Sequence, residues 1–94
     1  MQSAVTHFAV IKGKEREFEK TFNSLQSEVV RSEPGTVGFQ LYRSSDTARD
    51  YMLIAHFRDE SAEQAHAGGR MKLRGRELYA LCEGTPKMAI WRAL

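Results

Sequence analysis

The feature that most restricts the fold is a change of hydrophobic period close to the N-terminus. Phe18, Phe22, Leu25 and Val29 fall at i, i+4, i+7 and i+11, which is one stripe along an α-helix. Glu15, Arg16, Glu19, Lys20 and Glu28 cover its other faces. The spacing predicts a helix from Lys14 to about Ser32. Glu33-Pro34-Gly35 closes it, because proline disfavours helical geometry in the residue before it. A helix with a single apolar stripe needs a surface to bury it against, and the flanking segments supply one. Residues 3–11, 36–44, 51–58 and 87–93 are short and rich in β-branched and aromatic side chains, and each reads as a strand. Ser45 to Asp50 is a turn, so the second and third strands form an antiparallel hairpin. Asp59 or Ser61 can cap a short helix reaching about Ala67. Gly68-Gly69 breaks it, and Met71 to Glu83 is helical again, with Leu78, Leu81 and Cys82 on one side. Gly84-Thr85-Pro86 stops that element.

The resulting order is β-α-β-β-α-β, with the second helical region split in two. That is the ferredoxin-like α+β arrangement: one domain over residues 1–94, a four-stranded antiparallel sheet, and helices on one face. The strands carry a further message. Met52, Leu53, Ile54 and Ala55 run without polar alternation. Val37, Phe39 and Leu41 face one way, while Gly38 and Tyr42 face the other without adding charge. Val5, Ala9 and Ile11 oppose Ala4, Phe8 and Val10. Both faces of the sheet are therefore substantially apolar, yet helices from one short chain cover only one of them. The expected solution is a homodimer that packs two sheets face to face and forms a dimeric α+β barrel, since an exposed sheet of this character invites aggregation.

Composition excludes several functional classes. Fourteen basic residues stand against twelve acidic ones, a net charge of +2, without the larger basic excess typical of nucleic-acid binders. No apolar run approaches the roughly 18 residues of a membrane span. The N-terminal MQSAVTHFAVIKGK lacks the features of a signal peptide. Cys82 is the only cysteine, so no disulfide forms within the chain. The expectation is a cytoplasmic protein with neither nucleic-acid nor membrane partners. No His-x-His, His-x-x-x-His or cysteine–histidine pairing suggests a metal site, and neither a P-loop nor G-x-G-x-x-G suggests a nucleotide cofactor.

From Glu33-Pro34-Gly35 the chain runs into Gly38-Phe39-Gln40-Leu41-Tyr42-Arg43, then Tyr51-Met52-Leu53-Ile54-Ala55-His56-Phe57, then Ser61-Ala62-Glu63-Gln64-Ala65-His66. In order and spacing this resembles the antibiotic biosynthesis monooxygenase family of dimeric α+β barrels, most closely between Glu33 and His66. The resemblance implies either a cofactor-free monooxygenase that oxidises a small phenolic, quinol-like or polyketide-like substrate, or a non-catalytic dimeric barrel that binds a small hydrophobic ligand. A haem-degrading branch of the family has asparagine on the first strand, tryptophan on the short helix and an iron-binding histidine beyond it. Those positions fall on Thr6, on His66 and within Met71 to Arg76, a segment with no histidine, cysteine or tyrosine and no methionine near its middle. Haem degradation is not expected.

His66 is the first candidate for catalysis. Ala62, Ala65, His66 and Gly69 share one helix face, which turns the imidazole toward the sheet, and the resemblance puts that face beside the ligand cavity. A neutral imidazole there can take a proton from a phenol; the alternative is a buried or capping histidine. Thr6 is the second candidate, as a hydrogen-bonding group for a substrate oxygen. Phe8, Phe39 and Trp91 are the aromatic residues expected to hold a flat ring, Phe39 and Trp91 foremost because their strands read as central. His7 and His56 read as strand histidines at a sheet edge or dimer face. Arg70, Lys72, Arg74 and Arg76 scatter around a helix and read as a solvated surface.

Overall fold

In a computed structural model, which describes the backbone of residues 1–94 and the side chains of all but Arg70, Met71 and Leu73, the period change does become the boundary between strand and helix. The elements are β1 (Gln2–Ala9), α1 (Glu15–Ser32), β2 (Thr36–Arg43), β3 (Asp50–Phe57), α2 (Glu60–Gly68), α3 (Arg70–Tyr79) and β4 (Lys87–Arg92). The strands form one sheet in the order β2-β3-β1-β4, with every neighbouring pair antiparallel. This is the expected ferredoxin-like α+β fold.

The α1 stripe lands on the sheet as its spacing requires. Phe18, Phe22, Leu25 and Val29 are all buried, and each contributes roughly 1.5–3 kcal/mol by leaving water. They meet Ala4 and Phe8 of β1, Phe39 of β2, and Tyr51, Leu53, Ala55 and Phe57 of β3. Phe22 stacks on Phe39 with ring centroids 5.4 Å apart, and Phe8 meets Phe18 edge-on at 5.2 Å. Asp59 caps α2, its Oδ1 accepting from the Ala62 N–H at 2.8 Å. Two glycines permit close approaches. A Cβ at Gly35 would lie 2.5 Å from the Ala62 Cβ, so α2 rests directly on the backbone before β2. A Cβ at Gly38 would lie 2.9 Å from His56 Cδ2, so the imidazole occupies the space a side chain would need.

Three details differ from the sequence expectation. The last helix ends at Tyr79 rather than Glu83, because the chain turns back to pair with the end of β1: Val10 bridges Cys82, and the Glu83 N–H donates to the Ala9 carbonyl at 2.7 Å. Val37 sits where the β2–β3 register shifts between Thr36 and Gly38, and it is exposed rather than packed beside Phe39 and Leu41. Phe39 and Trp91 lie on β2 and β4, the two edge strands, not at central positions. Strand propensity marks a segment as β without revealing its neighbours.

Pairing sorts the strand residues into rows. On the helix-covered face the rows are Thr36–Phe57–Gln2–Arg92, Phe39–Ala55–Ala4–Ile90 and Leu41–Leu53–Thr6–Met88. The open face carries Gly38–His56–Ser3–Trp91, Gln40–Ile54–Val5–Ala89 and Tyr42–Met52–His7–Lys87. No helix among the described residues is long and apolar enough to cross a membrane.

Candidate functional site

The short helix α2 crosses the end of the sheet that begins with the Phe57 row. His66 lies in its last turn and is buried, pointing at the sheet as its spacing with Ala62 and Ala65 requires. Its ring fits between two phenylalanines: Phe57 at 5.0 Å and 49°, Phe39 at 5.5 Å and 62°. One polar partner completes the arrangement. Glu33 Oε1 lies 2.6 Å from His66 Nδ1, and the two side chains are 12% and 11% exposed. Thr36 Oγ1 donates to the same Oε1 at 2.9 Å. Glu33 Oε2 is buried and has no hydrogen-bond partner among the described residues, and the same holds for Oε1 of Gln2, which pairs with Phe57 across the sheet.

Sequence reasoning missed Glu33, assigning it only to a helix stop. The signal available was an acidic residue fixed by the following proline at a helix end, but nothing local says that this end meets an imidazole 33 residues later. The stop itself does the positioning: the Glu33 N–H donates to the Val29 carbonyl, and the Glu33 carbonyl accepts from Thr36, both at 3.0 Å.

An open groove of about 600 Å³ adjoins the pair. Glu33, Pro34 and Gly35 form one wall, Arg58 and Asp59 another, and Ala62, Ala65 and Gly69 of the α2 region a third. Ala62 and Gly69 stand one helical turn before and after His66, and the imidazole itself is set back from the groove.

The other candidates are distributed differently. Thr6 is buried on the helix-covered face, in the row after that of Phe39, roughly 7 Å further along the sheet. Phe39 touches His66 directly. Phe8 is buried against Phe18 and Tyr79, six positions along β1 from Gln2, roughly 20 Å by strand rise. Trp91 is 62% exposed and lies on the open face opposite Ser3. The fold thus brings Phe39 and His66 together, buries Thr6 one row further along the same face, and separates Phe8 and Trp91 from both. Strand alternation is the reason: Trp91 falls on the opposite parity to Thr6 and Phe8 in the aligned register.

The remaining titratable groups serve the frame. His56 Nδ1 shares a hydrogen with Ser3 Oγ at 2.6 Å on the open face. His7 lines a second groove, of about 510 Å³, with Tyr42, Met52 and Lys87. The Tyr51 hydroxyl donates to Glu19, which also pairs with Arg43 at 3.3 Å. Burial, then the hydrogen bond and charge of Glu19, push that phenol up to about 12. Burial pushes the Cys82 thiol up to about 11, so it stays protonated and unreactive at neutral pH. Arg74 spans Glu28 at 2.6 Å and Glu77 at 2.9 Å, tying α3 to α1. No cluster of three metal-ligating side chains occurs among the described residues. The Met71 to Arg76 segment is helical, and the Met71 and Leu73 side chains lie outside the described residues.

The topology is that of the ferredoxin-like α+β fold, here with a buried imidazole between helix and sheet. The sequence profile of the family described as antibiotic biosynthesis monooxygenase matches residues 1–76, and the chain belongs to that family. Among solved structures, a Caulobacter crescentus protein carrying the same family designation is 28% identical, with a TM-score of 0.91 over 99% of this chain and 89% of its own. SnoaB, a cofactor-independent oxygenase from Streptomyces nogalater, is 29% identical, with a TM-score of 0.83 over 98% of this chain and 91% of its own. A family protein from Nitrosomonas europaea shares the fold at 21% identity, with a TM-score of 0.89 over 100% and 99% of the two chains. No curated protein matches the chain.

Proposed function

We propose that the protein is a cofactor-independent monooxygenase for a small electron-rich phenol, hydroquinone or anthrone-like ring, working as a homodimer in the cytoplasm. The observation that carries this reading is the His66 imidazole, buried between Phe39 and Phe57 beside an open groove. Membership of the family and similarity to a cofactor-independent oxygenase support it. The substrate supplies the electrons. His66 takes a proton from the substrate, whose electron-rich anion passes an electron to dioxygen. Recombination gives a hydroperoxide, and loss of water leaves the carbonyl. For an anthrone-like ring, the proton held by His66 returns to the peroxide, and the ring methylene plus dioxygen thereby becomes a quinone carbonyl plus water. The protein excludes bulk water and orients the ring. Phe39 and Phe57 hold the imidazole in place, and Thr6 hydrogen-bonds a substrate oxygen. The apolar open face, with Val5, Met52, Ile54 and Trp91, is the surface the second subunit covers.

Anaerobic and aerobic incubation with anthrone and hydroquinone substrates tests this. Oxygen-dependent turnover is expected, slowed roughly 100-fold or more in His66→Ala. Equal turnover by both proteins would remove His66 from the chemistry. The competing reading is a non-catalytic dimeric barrel that binds a small hydrophobic ligand. One observation favours it: Phe8 and Phe39 are engaged in core packing. Ligand binding without any oxygen consumption would select it.

A further inference from the structure

We propose that Glu33 is the positioning residue of His66, holding the imidazole in a single tautomer with its proton on Nδ1 and its lone pair on Nε2. The catalytic value of this arrangement rests on the oxygenase reading above; the tautomer itself does not.

The argument starts from what a carboxylate can do. An ionised carboxylate only accepts hydrogen bonds. With Oε1 2.6 Å from Nδ1, the hydrogen between them belongs to the imidazole. A neutral imidazole carries only one ring proton, so Nε2 is left as the acceptor. Free histidine prefers the other tautomer, so an aligned Glu33 reverses the intrinsic preference.

The carboxylate can impose this because it is itself held. Its backbone is fixed by hydrogen bonds to Val29 and Thr36. Pro34 keeps Glu33 out of the helix, at φ −127° and ψ 81°. Thr36 Oγ1 donates to the same oxygen that faces His66. Phe39 and Phe57 then limit the ring's own rotation. Glu33 also lines the groove, on the wall facing α2.

The chemical consequence is a proton step that balances. The O–H bond of a bound phenol breaks and its electron pair stays on oxygen. A new N–H bond forms at Nε2, and the resulting imidazolium sits against the negative Glu33 carboxylate. No electron leaves the substrate in this step. The pair is little exposed, so the stabilisation is greater than a solvated ion pair gives. The division of labour is that of a base oriented and stabilised by a third group.

The test combines spectroscopy with kinetics on the full chain: wild type, Glu33→Gln and Glu33→Ala, each checked by its backbone amide spectrum. Long-range proton–nitrogen NMR of ¹⁵N-histidine-labelled protein reads the tautomer. The expected result is the Nδ1–H form of His66 in wild type, kept in Glu33→Gln through its amide oxygen, and lost in Glu33→Ala. With a hydroquinone that wild type oxidises, Glu33→Gln is expected to lower kcat roughly 10- to 100-fold with KM little changed. An Nε2–H tautomer in wild type, or a tautomer and kcat that survive Glu33→Ala, would overturn the proposal while leaving the oxygenase reading intact. A tautomer that responds to Glu33→Ala in a wild type lacking any oxygen-dependent turnover would sink the oxygenase reading and leave the positioning in place. If Glu33→Ala does not fold, wild type and Glu33→Gln decide: the Nδ1–H form of His66 in both supports the proposal, and an Nε2–H tautomer in either overturns it.

Discussion

Two imidazoles on opposite faces of one strand segment show how surroundings set chemistry. His66 reaches the helix-covered face from α2, is enclosed by Phe39 and Phe57, and faces a carboxylate. His56 stands on the open face, half-buried, lies over Gly38 and is hydrogen-bonded to the Ser3 hydroxyl. A hydroxyl can donate or accept, so it leaves the His56 tautomer free; a carboxylate accepts only, so it dictates that of His66. A hydroxyl also lacks the charge needed to stabilise an imidazolium. Both hydrogen bonds are 2.6 Å long, so length does not distinguish them. Partner identity and enclosure do.

The largest expected effect breaks the enclosure. Phe57→Ala on the covered face should cost about 3–5 kcal/mol at any protein concentration, whereas the cost of Ile54→Ala, half-buried on the open face of the single chain, should rise with protein concentration as the second subunit covers it. Urea unfolding monitored by circular dichroism at several protein concentrations compares them. An Ile54→Ala cost that stays low throughout would mean that no second subunit covers the open face. Next is the seat of α2. Gly35→Ala drives a Cβ into Ala62 and should cost about 1–3 kcal/mol by overpacking. Ala62→Gly in the same chain should restore part of it. No rescue in the double variant would show that strain at residue 35, not the helix seat, is responsible.

The histidines themselves come next. His66→Ala leaves the little-exposed Glu33 carboxylate with Thr36 but without its imidazole partner and should cost about 1–3 kcal/mol. His56→Ala loses one half-buried bond and should cost no more than about 1 kcal/mol. Reversed magnitudes would overturn the comparison. The smallest effect near neutrality is the pH dependence of the covered side. Cys82 and Tyr51 have folded values of about 11 and about 12, above their ordinary 9.0 and 10.0. The folded chain keeps protons that the unfolded chain has already released. Stability from these groups is therefore complete below pH 9.0 and declines as pH rises through about 11 for Cys82 and about 12 for Tyr51. Denaturation midpoints measured from pH 8 to 11 should fall above pH 9, less steeply in Cys82→Ala. A flat profile would show that neither group is buried as described.

The candidate site was legible only in part, for a physical reason visible in particular residues. His66 could be aimed because helical spacing is local: Ala62 and His66 share a face whatever the rest of the chain does. Phe39 could be chosen because its strand also carries Leu41. Trp91 could not be assigned a face, because parity along β4 acquires meaning only once Trp91 is registered opposite Ser3. Glu33 stayed hidden because its partner is distant in sequence.

By itself the sequence determined the elements, their order and the covered stripe, since each follows from periodicity, caps and breakers within a few residues: Phe18 to Val29, Asp59, Pro34. It determined the family as well, through order and spacing from Glu33 to His66. Only the tertiary structure decided that β1 and β3 are central, that the last helix yields Cys82 to a bridge with Val10, and that the end of α1 presents a carboxylate to α2. Those are pairings between distant segments, selected by which hydrogen bonds and side chains can be satisfied together in one packed chain, and no local pattern records that choice.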